Sequence, residues 1–306
     1  QTVSYAADGS FTIDPALDFS TIYFEVVGGN AKLNSFSYSQ NLLPENQVLS
    51  FAVSATDSDY DTSAIQQLNI TLLGGAEGTD IIRSTDHDAI MGTSSAEHIY
   101  GYAGDDILTG GEGDDILDGS DGSDTANYLN AAAVVTVNLD AGTATGGDGT
   151  DTLTSIENIV GSQFDDSLTG DNNANHISGG AGADTIIGGL GADTLTGGLG
   201  NDILTGGDGA DIFKWTADDV NIASGAPFSD KITDFSITEG DKLDLSDVLT
   251  GDTTTLSNYL DVQASGSNVV VSVYADGVSG GTADMTIVLE GQSADLTALQ
   301  TYLLTQ

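Results

Sequence analysis

The chain has no cysteine and only three prolines. Without cysteine there can be no disulfide framework and no thiolate metal site. Basic residues are nearly missing: Lys32, Arg83, Lys214, Lys231 and Lys242 stand against 47 acidic side chains, for a formal net charge of −42. Nucleic acid and anionic membrane surfaces repel so negative a chain, and both are excluded as partners. No apolar run approaches the roughly 20 residues of a membrane-spanning helix. The only histidines are His87, His98 and His176, and none stands in an HExxH motif, which excludes a zinc protease of that class. The segment Gly277 to Gly281 satisfies GxSxG around Ser279. It lies in a glycine-rich stretch, however, and no histidine follows it as hydrolase order requires. No catalytic constellation is left, and the expectation is that the chain is not an enzyme.

What is present is glycine, at 40 residues, and an apolar share of 39% in a chain of 306 residues. That length suits two or three domains. The apolar share argues against a disordered acidic tail. The charge destabilises any compact state by self-repulsion unless cations are recruited. A secreted protein without disulfides needs another staple, and a hard cation held by oxygen ligands is one. The chain starts at Gln1 with no initiator Met and no signal-peptide pattern, so it is expected to be a fragment of something longer.

The acids fall at fixed intervals. From Gly161 the chain can be cut every nine residues without a gap as far as Lys214, and an earlier block runs the same way from Gly92 to Asn127. Gly75 to Arg83 and the eight-residue unit through Asp88 read as degenerate copies, carrying Asp80 and Asp88. Position 6 of the unit is Asp106, Asp115 and Asp124, then Asp166, Asp184, Asp193, Asp202 and Asp211; Glu97 and Asn175 depart from it. Position 8 is always apolar, from Ile99, Leu108 and Leu117 to Leu195, Leu204 and Phe213.

Glycines at positions 1, 2 and 4 permit positive φ and let the backbone curl tightly with carbonyl oxygens turned inward. The short strand that follows alternates its side chains, so position 8 faces a core while 7 and 9 face outward. Two units make one coil, and repeats n and n+2 stack at roughly 4.8 Å, the strand spacing of a sheet. Stacked carboxylates then repel unless a divalent ion lies between them, with carbonyls completing a shell of about 6–8 oxygens. A lone Gly-Asp turn would be ordinary turn chemistry. Contiguous copies in two blocks point to calcium.

The pattern GGxGxDxUx resembles the calcium-binding repeat of RTX proteins. The resemblance implies an all-β fold, a calcium-binding parallel β-roll holding several Ca2+ ions. It also implies that each ion takes two carbonyls and the position-6 carboxylate from one turn and a similar set two turns on. Carried over, Gly180, Gly182 and Asp184 share an ion with Gly197, Leu199 and Asp202. Gly189, Gly191 and Asp193 pair in the same way with Gly206, Asp208 and Asp211, and Tyr102, Gly104 and Asp106 with Gly119, Asp121 and Asp124. Gly111, Gly113 and Asp115, together with Asp166, Gly179 and Ala181, complete the candidate set.

The organisation expected is 1–74 as a β-sandwich-like segment, 75–127 as the first repeat block, 128–160 as an insert, 161–214 as the second block and 215–306 as a C-terminal cap. Strand-like alternations in the first segment run over Thr21–Val27, Ala31–Tyr38, Val48–Thr56 and Ile65–Leu73. The alternating carboxylates Asp57, Asp59 and Asp61 resemble the calcium linkers of tandem immunoglobulin-like adhesin domains; a solvated acidic hairpin reads equally well. In the insert, Val134 to Leu139 reads as an edge or hairpin strand, and Gly146 to Thr154 is a stray repeat out of phase with Gly161. The phase leaves open whether this stretch continues the coil or bulges from it. The last region resembles the C-terminal part of type I-secreted RTX proteins in Asp230 to Phe235 and Gly240 to Leu249. Strands are expected at Val269–Tyr274 and Met285–Glu290, then a short helix from an N-cap at Ser293, with Leu296, Leu299 and Leu303 on one face. The resemblance implies secretion to the outside or to the bacterial cell surface as a monomer. Its implied partners are calcium, the type I secretion machinery, and surface glycans or proteins met through upstream domains. Two parents are open: a large adhesin, or a secreted lipase or protease whose catalytic domain lies upstream.

Overall fold

The computed structural model describes strands at 4–5, 11–12, 22–23, 47–53, 66–72 and 80–82, then residues 87–219, 228–249, 255–277 and 282–304. The chain divides into two compact units, Gln1–Ser84 and Thr85–Gln306. In the first, β1 (Ser4–Tyr5) pairs antiparallel with β2 (Phe11–Thr12). β3 (Ile22–Tyr23) runs parallel to β4 (Gln47–Val53), which pairs along its whole length, antiparallel, with β5 (Gln66–Leu72). β6 (Asp80–Ile82) meets β5 at Thr71. Three of the expected strands coincide with β3, β4 and β5. The fourth, Ala31–Tyr38, lies outside the described residues, as do Asp57, Asp59, Asp61 and the side chain of Asp80.

The second unit is a coil of short strands that alternate between two sheets. In the first block these are β7 (Ala89–Met91), β8 (His98–Tyr100), β9 (Ile107–Thr109), β10 (Ile116–Asp118) and β11 (Thr125–Asn127). Strand pairing joins residues eighteen apart, in parallel: Ile90 to Leu108, Leu108 to Ala126, and Ile99 to Leu117. This is the geometry of two nine-residue units per turn. The position-8 side chains Ile99, Leu108, Leu117, Leu168, Ile186, Leu195, Leu204 and Phe213 are all 0% exposed. Each turn contributes one apolar residue per sheet, and stacking lets a short repeat without its own core share a continuous one. The second block repeats the scheme with β16 (Ser167–Thr169), β17 (His176–Ala181), β18 (Thr185–Leu190), β19 (Thr194–Leu199), β20 (Ile203–Asp208) and β21 (Ile212–Lys214).

The insert supplies β12 (Val135–Asn138), β13 (Thr143–Gly146), β14 (Gly149–Thr154) and β15 (Asn158–Val160). β14 stacks parallel on β10, Leu153 over Leu117, so the out-of-phase repeat is a rung of the coil. β13 folds back antiparallel on both β14 and β12, and β12 then runs parallel to β16. Val134–Leu139 is therefore a hairpin strand inside the sheet and not at its edge. The other sheet crosses the same region with β15 alone, between β11 and β17. Three strands on one side face one on the other, and the antiparallel pair absorbs the phase difference.

β22 (Phe228–Ile232) and β23 (Lys242–Asp244) add one more rung to each sheet, on β20 and β21. β24 (Leu260–Ser265), β25 (Asn268–Val273) and β26 (Met285–Leu289) form an antiparallel meander, and β26 runs parallel to β22. The meander thereby continues the sheet of β22 past the last coil, so that β22 is not an edge strand. α1 (Leu296–Leu303) buries Leu299 and Leu303. It follows a 3-10 turn, Gln292–Asp295, that is entered from Gly291. Ser293 thus lies inside that turn, where its N–H donates to the Ser267 carbonyl, and the expected N-cap is not formed there. No helix among the described residues is long and apolar enough to cross a membrane.

Candidate metal centre

The turns that precede the strands carry the acids, and the acids point into the coil. Asp106, Asp115, Asp124, Asp166, Asp184, Asp193, Asp202 and Asp211 are all buried. Backbone curvature makes this possible. Gly180, Gly182, Gly189, Gly191, Gly198, Gly200, Gly207 and Gly209 all have positive φ. Position 1 needs glycine for a different reason: a Cβ on Gly179 would run into Oδ2 of Asp184, and one on Gly197 into Oδ2 of Asp202.

Each carboxylate uses one oxygen in the same way. Oδ1 of Asp184 accepts the backbone N–H of Asp166 at 2.7 Å, and Oδ1 of Asp202 accepts that of Asp184 at 2.8 Å. Oδ1 of Asp193 and of Asp211 do the same for Asn175 and Asp193. In the first block, Asp106, Asp115 and Asp124 take the N–H groups of Asp88, Glu97 and Asp106. Two columns result, one on each side of the coil.

The second oxygen is different. Oδ2 of Asp106, Asp115, Asp124, Asp184, Asp193, Asp202 and Asp211 is buried with no hydrogen-bond partner. A buried acceptor with no donor costs roughly 1–3 kcal/mol, and more when charged. Seven such atoms in register require an explanation. Burial accordingly pushes Asp115, Asp124, Asp193 and Asp211 up to about 6, Asp184 to about 7 and Asp202 to about 8. The backbone N–H bond opposes that shift and neighbouring carboxylates add to it. Asp106 is raised for the same reasons.

A divalent cation fits these atoms: it supplies the charge that seven orphaned oxygens lack. Among the described residues no group of three or more acidic or histidine side chains converges on one point. An ion here must therefore take most of its oxygens from backbone carbonyls, a donor set of hard-cation type. Several of the carbonyls singled out from sequence also bridge stacked turns: Leu199 accepts the N–H of Gly182, Asp208 that of Gly191, Asp121 that of Gly104, and Tyr102 that of Asp121. A carbonyl oxygen has two lone pairs, so one such bond leaves capacity for a metal.

Other acids in the columns are already satisfied. Thr93 donates its N–H and its hydroxyl to Glu97, at 2.9 and 2.5 Å. Ser162 does the same for Asp166, at 2.5 and 2.8 Å. Asn175 accepts the N–H of Asp171 and donates to the Glu157 carbonyl. Sequence reasoning placed Asp166 beside the others, yet here it is fully served by protein donors. It also passed over Asp151, Asp230 and Asp241, which continue the columns by accepting the N–H groups of Asp115, Asp202 and Asp211. Their remaining oxygens accept hydrogen bonds from the Tyr128 hydroxyl, the Trp215 indole N–H and the Ser236 N–H respectively. Asp230 and Asp241 were hidden because connections of 28 and 30 residues replace the interval of eighteen. His98 and His176 lie on the outside of the coil, His98 within 2.8 Å of the Tyr100 hydroxyl.

Residues 91–126, 145–186 and 178–213 match the family described as RTX calcium-binding nonapeptide repeat (4 copies). No curated protein matches the chain. Among solved structures, the AlgE6R3 subunit of the Azotobacter vinelandii mannuronan C5-epimerase is 33% identical, over 45% of this chain and 79% of that one, with a TM-score of 0.35. The AlgE6R2 subunit of the same enzyme is 38% identical, over 45% of this chain and 86% of that one, with a TM-score of 0.36. The extracellular lipase LipA of Serratia marcescens is 17% identical, over 71% of this chain and 41% of that one, with a TM-score of 0.32. Motif, coil and orphaned carboxylates agree, and the chain carries an RTX calcium-binding module built from these nonapeptide repeats.

Proposed function

We propose that this chain is the calcium-dependent folding and type I secretion module at the C-terminal end of a large extracellular bacterial adhesin. The observation that supports it is the set of seven buried aspartate oxygens with no donor. In this reading the ions sit between stacked turns. Asp184 and Asp202 hold one with carbonyls of Gly180, Gly182, Gly197 and Leu199. Asp193 and Asp211, and Asp106 and Asp124, act likewise.

Before export, in submicromolar calcium, the aspartates repel one another and the repeats cannot close their core, so the chain stays unfolded and transportable. Outside, roughly millimolar calcium exceeds dissociation constants of ~10⁻⁴–10⁻³ M. A site at about ten times its dissociation constant adds about 1.4 kcal/mol. Several coupled sites convert a marginal chain into a rigid coil, and folding on the far side gives export a direction. The antiparallel meander after β22 then protects the last rung. The acidic triplet Asp57, Asp59 and Asp61 supports an adhesin as parent, with surface glycans or proteins bound through domains upstream.

Far-UV circular dichroism tests the folding part. Calcium should create the strand signal and excess chelator should abolish it; a signal indifferent to chelator would refute the proposal. For the adhesin part, the sequence preceding Gln1 should encode tandem β-sandwich domains. A catalytic HExxH or GxSxG domain there would assign the module to a secreted enzyme instead.

A further inference from the structure

The repeat from Gly146 to Thr154 reads GGDGTDTLT and satisfies the calcium motif. It lies within a matched stretch and stacks on β10 as a regular rung. By motif, Asp151 is a calcium ligand. Its surroundings contradict the motif. Oδ1 of Asp151 accepts the Asp115 N–H at 3.0 Å, and Oδ2 accepts the Tyr128 hydroxyl at 2.9 Å, with both side chains 2% exposed. Neither oxygen lacks a donor.

We infer that Tyr128 takes the place of a cation at Asp151, making this rung metal-free and dividing the coil into two calcium rows that load independently. The inference rests on the calcium reading above and refines it.

The rest of the seam agrees with Tyr128. On the same side of the coil the next rung is Asp166, held by Ser162 through both oxygens. On the opposite side the column crosses the insert through Glu157, which accepts the Asp124 N–H, and Asn175, which carries no charge. All seven orphaned oxygens lie to one side of the seam or the other: Asp106, Asp115 and Asp124 before it, Asp184, Asp193, Asp202 and Asp211 after it. The far end is closed in the same manner, by Trp215 on Asp230 and by the Ser236 N–H on Asp241. A neutral donor answers a buried carboxylate oxygen without bringing a second charge. Calcium is therefore excluded where the protein supplies that donor and required where it does not.

Native mass spectrometry of the whole chain in calcium counts the ions, and thermal unfolding in saturating calcium measures stability. Asp151→Asn keeps an acceptor for Asp115 and turns its NH2 to the Tyr128 oxygen, so it should bind as many ions as the parent. Asp115→Asn should bind at least one fewer. Tyr128→Phe, which strands Oδ2 of Asp151, should lower the unfolding temperature in saturating calcium. An ion lost in Asp151→Asn, or no loss of stability in Tyr128→Phe, overturns the inference. The independence of the rows is read through Trp215, the only tryptophan, which sits at the end of the second row. Its calcium midpoint should move by no more than about twofold in Asp115→Asn, as for uncoupled sites; a larger shift overturns the claim. If the parent binds no calcium at all, the underlying reading fails instead.

Discussion

The rung at Asp202 and the rung at Asp230 are neighbours in one column, and both carboxylates are buried. Both accept a backbone N–H from the rung before. They differ in one atom. Oδ2 of Asp230 receives the Trp215 indole N–H at 2.7 Å, and Oδ2 of Asp202 receives nothing. The same residue, at the same depth, one rung further along the column, is thus either a finished piece of protein structure or half of a metal site. Position in the repeat sets where the carboxylate goes. The donor that meets its second oxygen sets what it does.

The sharpest way to break this comparison is substitution at the two rungs. Asp202→Asn should weaken calcium binding at its site at least tenfold, about 1.4 kcal/mol. In chelator the same change removes an uncompensated buried charge, so it should recover part of the strand signal that the parent loses. Asp230→Asn should leave the calcium affinity unaltered. Calorimetric titration beside circular dichroism in calcium and in chelator would register the crossover, and parallel behaviour of the two variants would break it.

A smaller effect is expected from pH. Burial holds Asp115, Asp124, Asp193 and Asp211 at about 6, Asp184 at about 7 and Asp202 at about 8, against an ordinary value of 3.8, and raises Asp106 as well. Their folded values are raised, so between about pH 4 and pH 8 the folded chain holds more protons than the unfolded one. Their contribution to metal-free stability is therefore intact at about pH 4 and is lost as pH rises through 6 to 8. With calcium present the sign reverses, because protons compete with the metal, and affinity should fall as pH drops below about 7. Any strand signal left in chelator should be larger at pH 5 than at pH 8, while the calcium needed to fold the chain should be lower at pH 8 than at pH 5.

Smaller and more local still is the cost of side chains at turn glycines. A Cβ on Gly179 would meet Oδ2 of Asp184 and, at 2.5 Å, the Gly197 carbonyl oxygen. Overpacking of this kind costs roughly 1–3 kcal/mol, and here it also pushes the ligand oxygen aside. Gly179→Ala should thus lose stability in calcium. Gly266, at φ +64° in the hairpin between β24 and β25, has nothing within 4 Å of its Cβ position. Gly266→Ala should cost only the backbone strain, roughly 1–2 kcal/mol, with calcium uptake untouched. Equal loss of calcium binding in both would contradict the account.

How far the sequence revealed this arrangement follows from what is periodic in it. The apolar residue at position 8 and the acid at position 6 recur every nine residues, so the core from Ile99 to Phe213 and the aspartate columns could both be read directly. What does not recur could not. Tyr128 and Trp215 carry no sign in the sequence that they will meet Asp151 and Asp230, since each contact depends on a long-range approach of chain. The rung at Asp151 looked displaced because phase was counted along the chain. The β12–β13 hairpin takes up that difference before β14 returns to the stack. Asp166 departs from its neighbours for a simpler reason: Ser162 stands where most turns have glycine, and its hydroxyl and N–H meet both carboxylate oxygens.

The most direct measurement is an anomalous-scattering map from crystals of the chain grown in calcium. Calcium peaks should lie beside Oδ2 of Asp106, Asp115, Asp124, Asp184, Asp193, Asp202 and Asp211, with none at Asp151, Asp166, Asp230 or Asp241. Peaks at the donor-capped rungs, or an absence of peaks beside the seven, would contradict the claim that an unanswered carboxylate oxygen is what binds the metal.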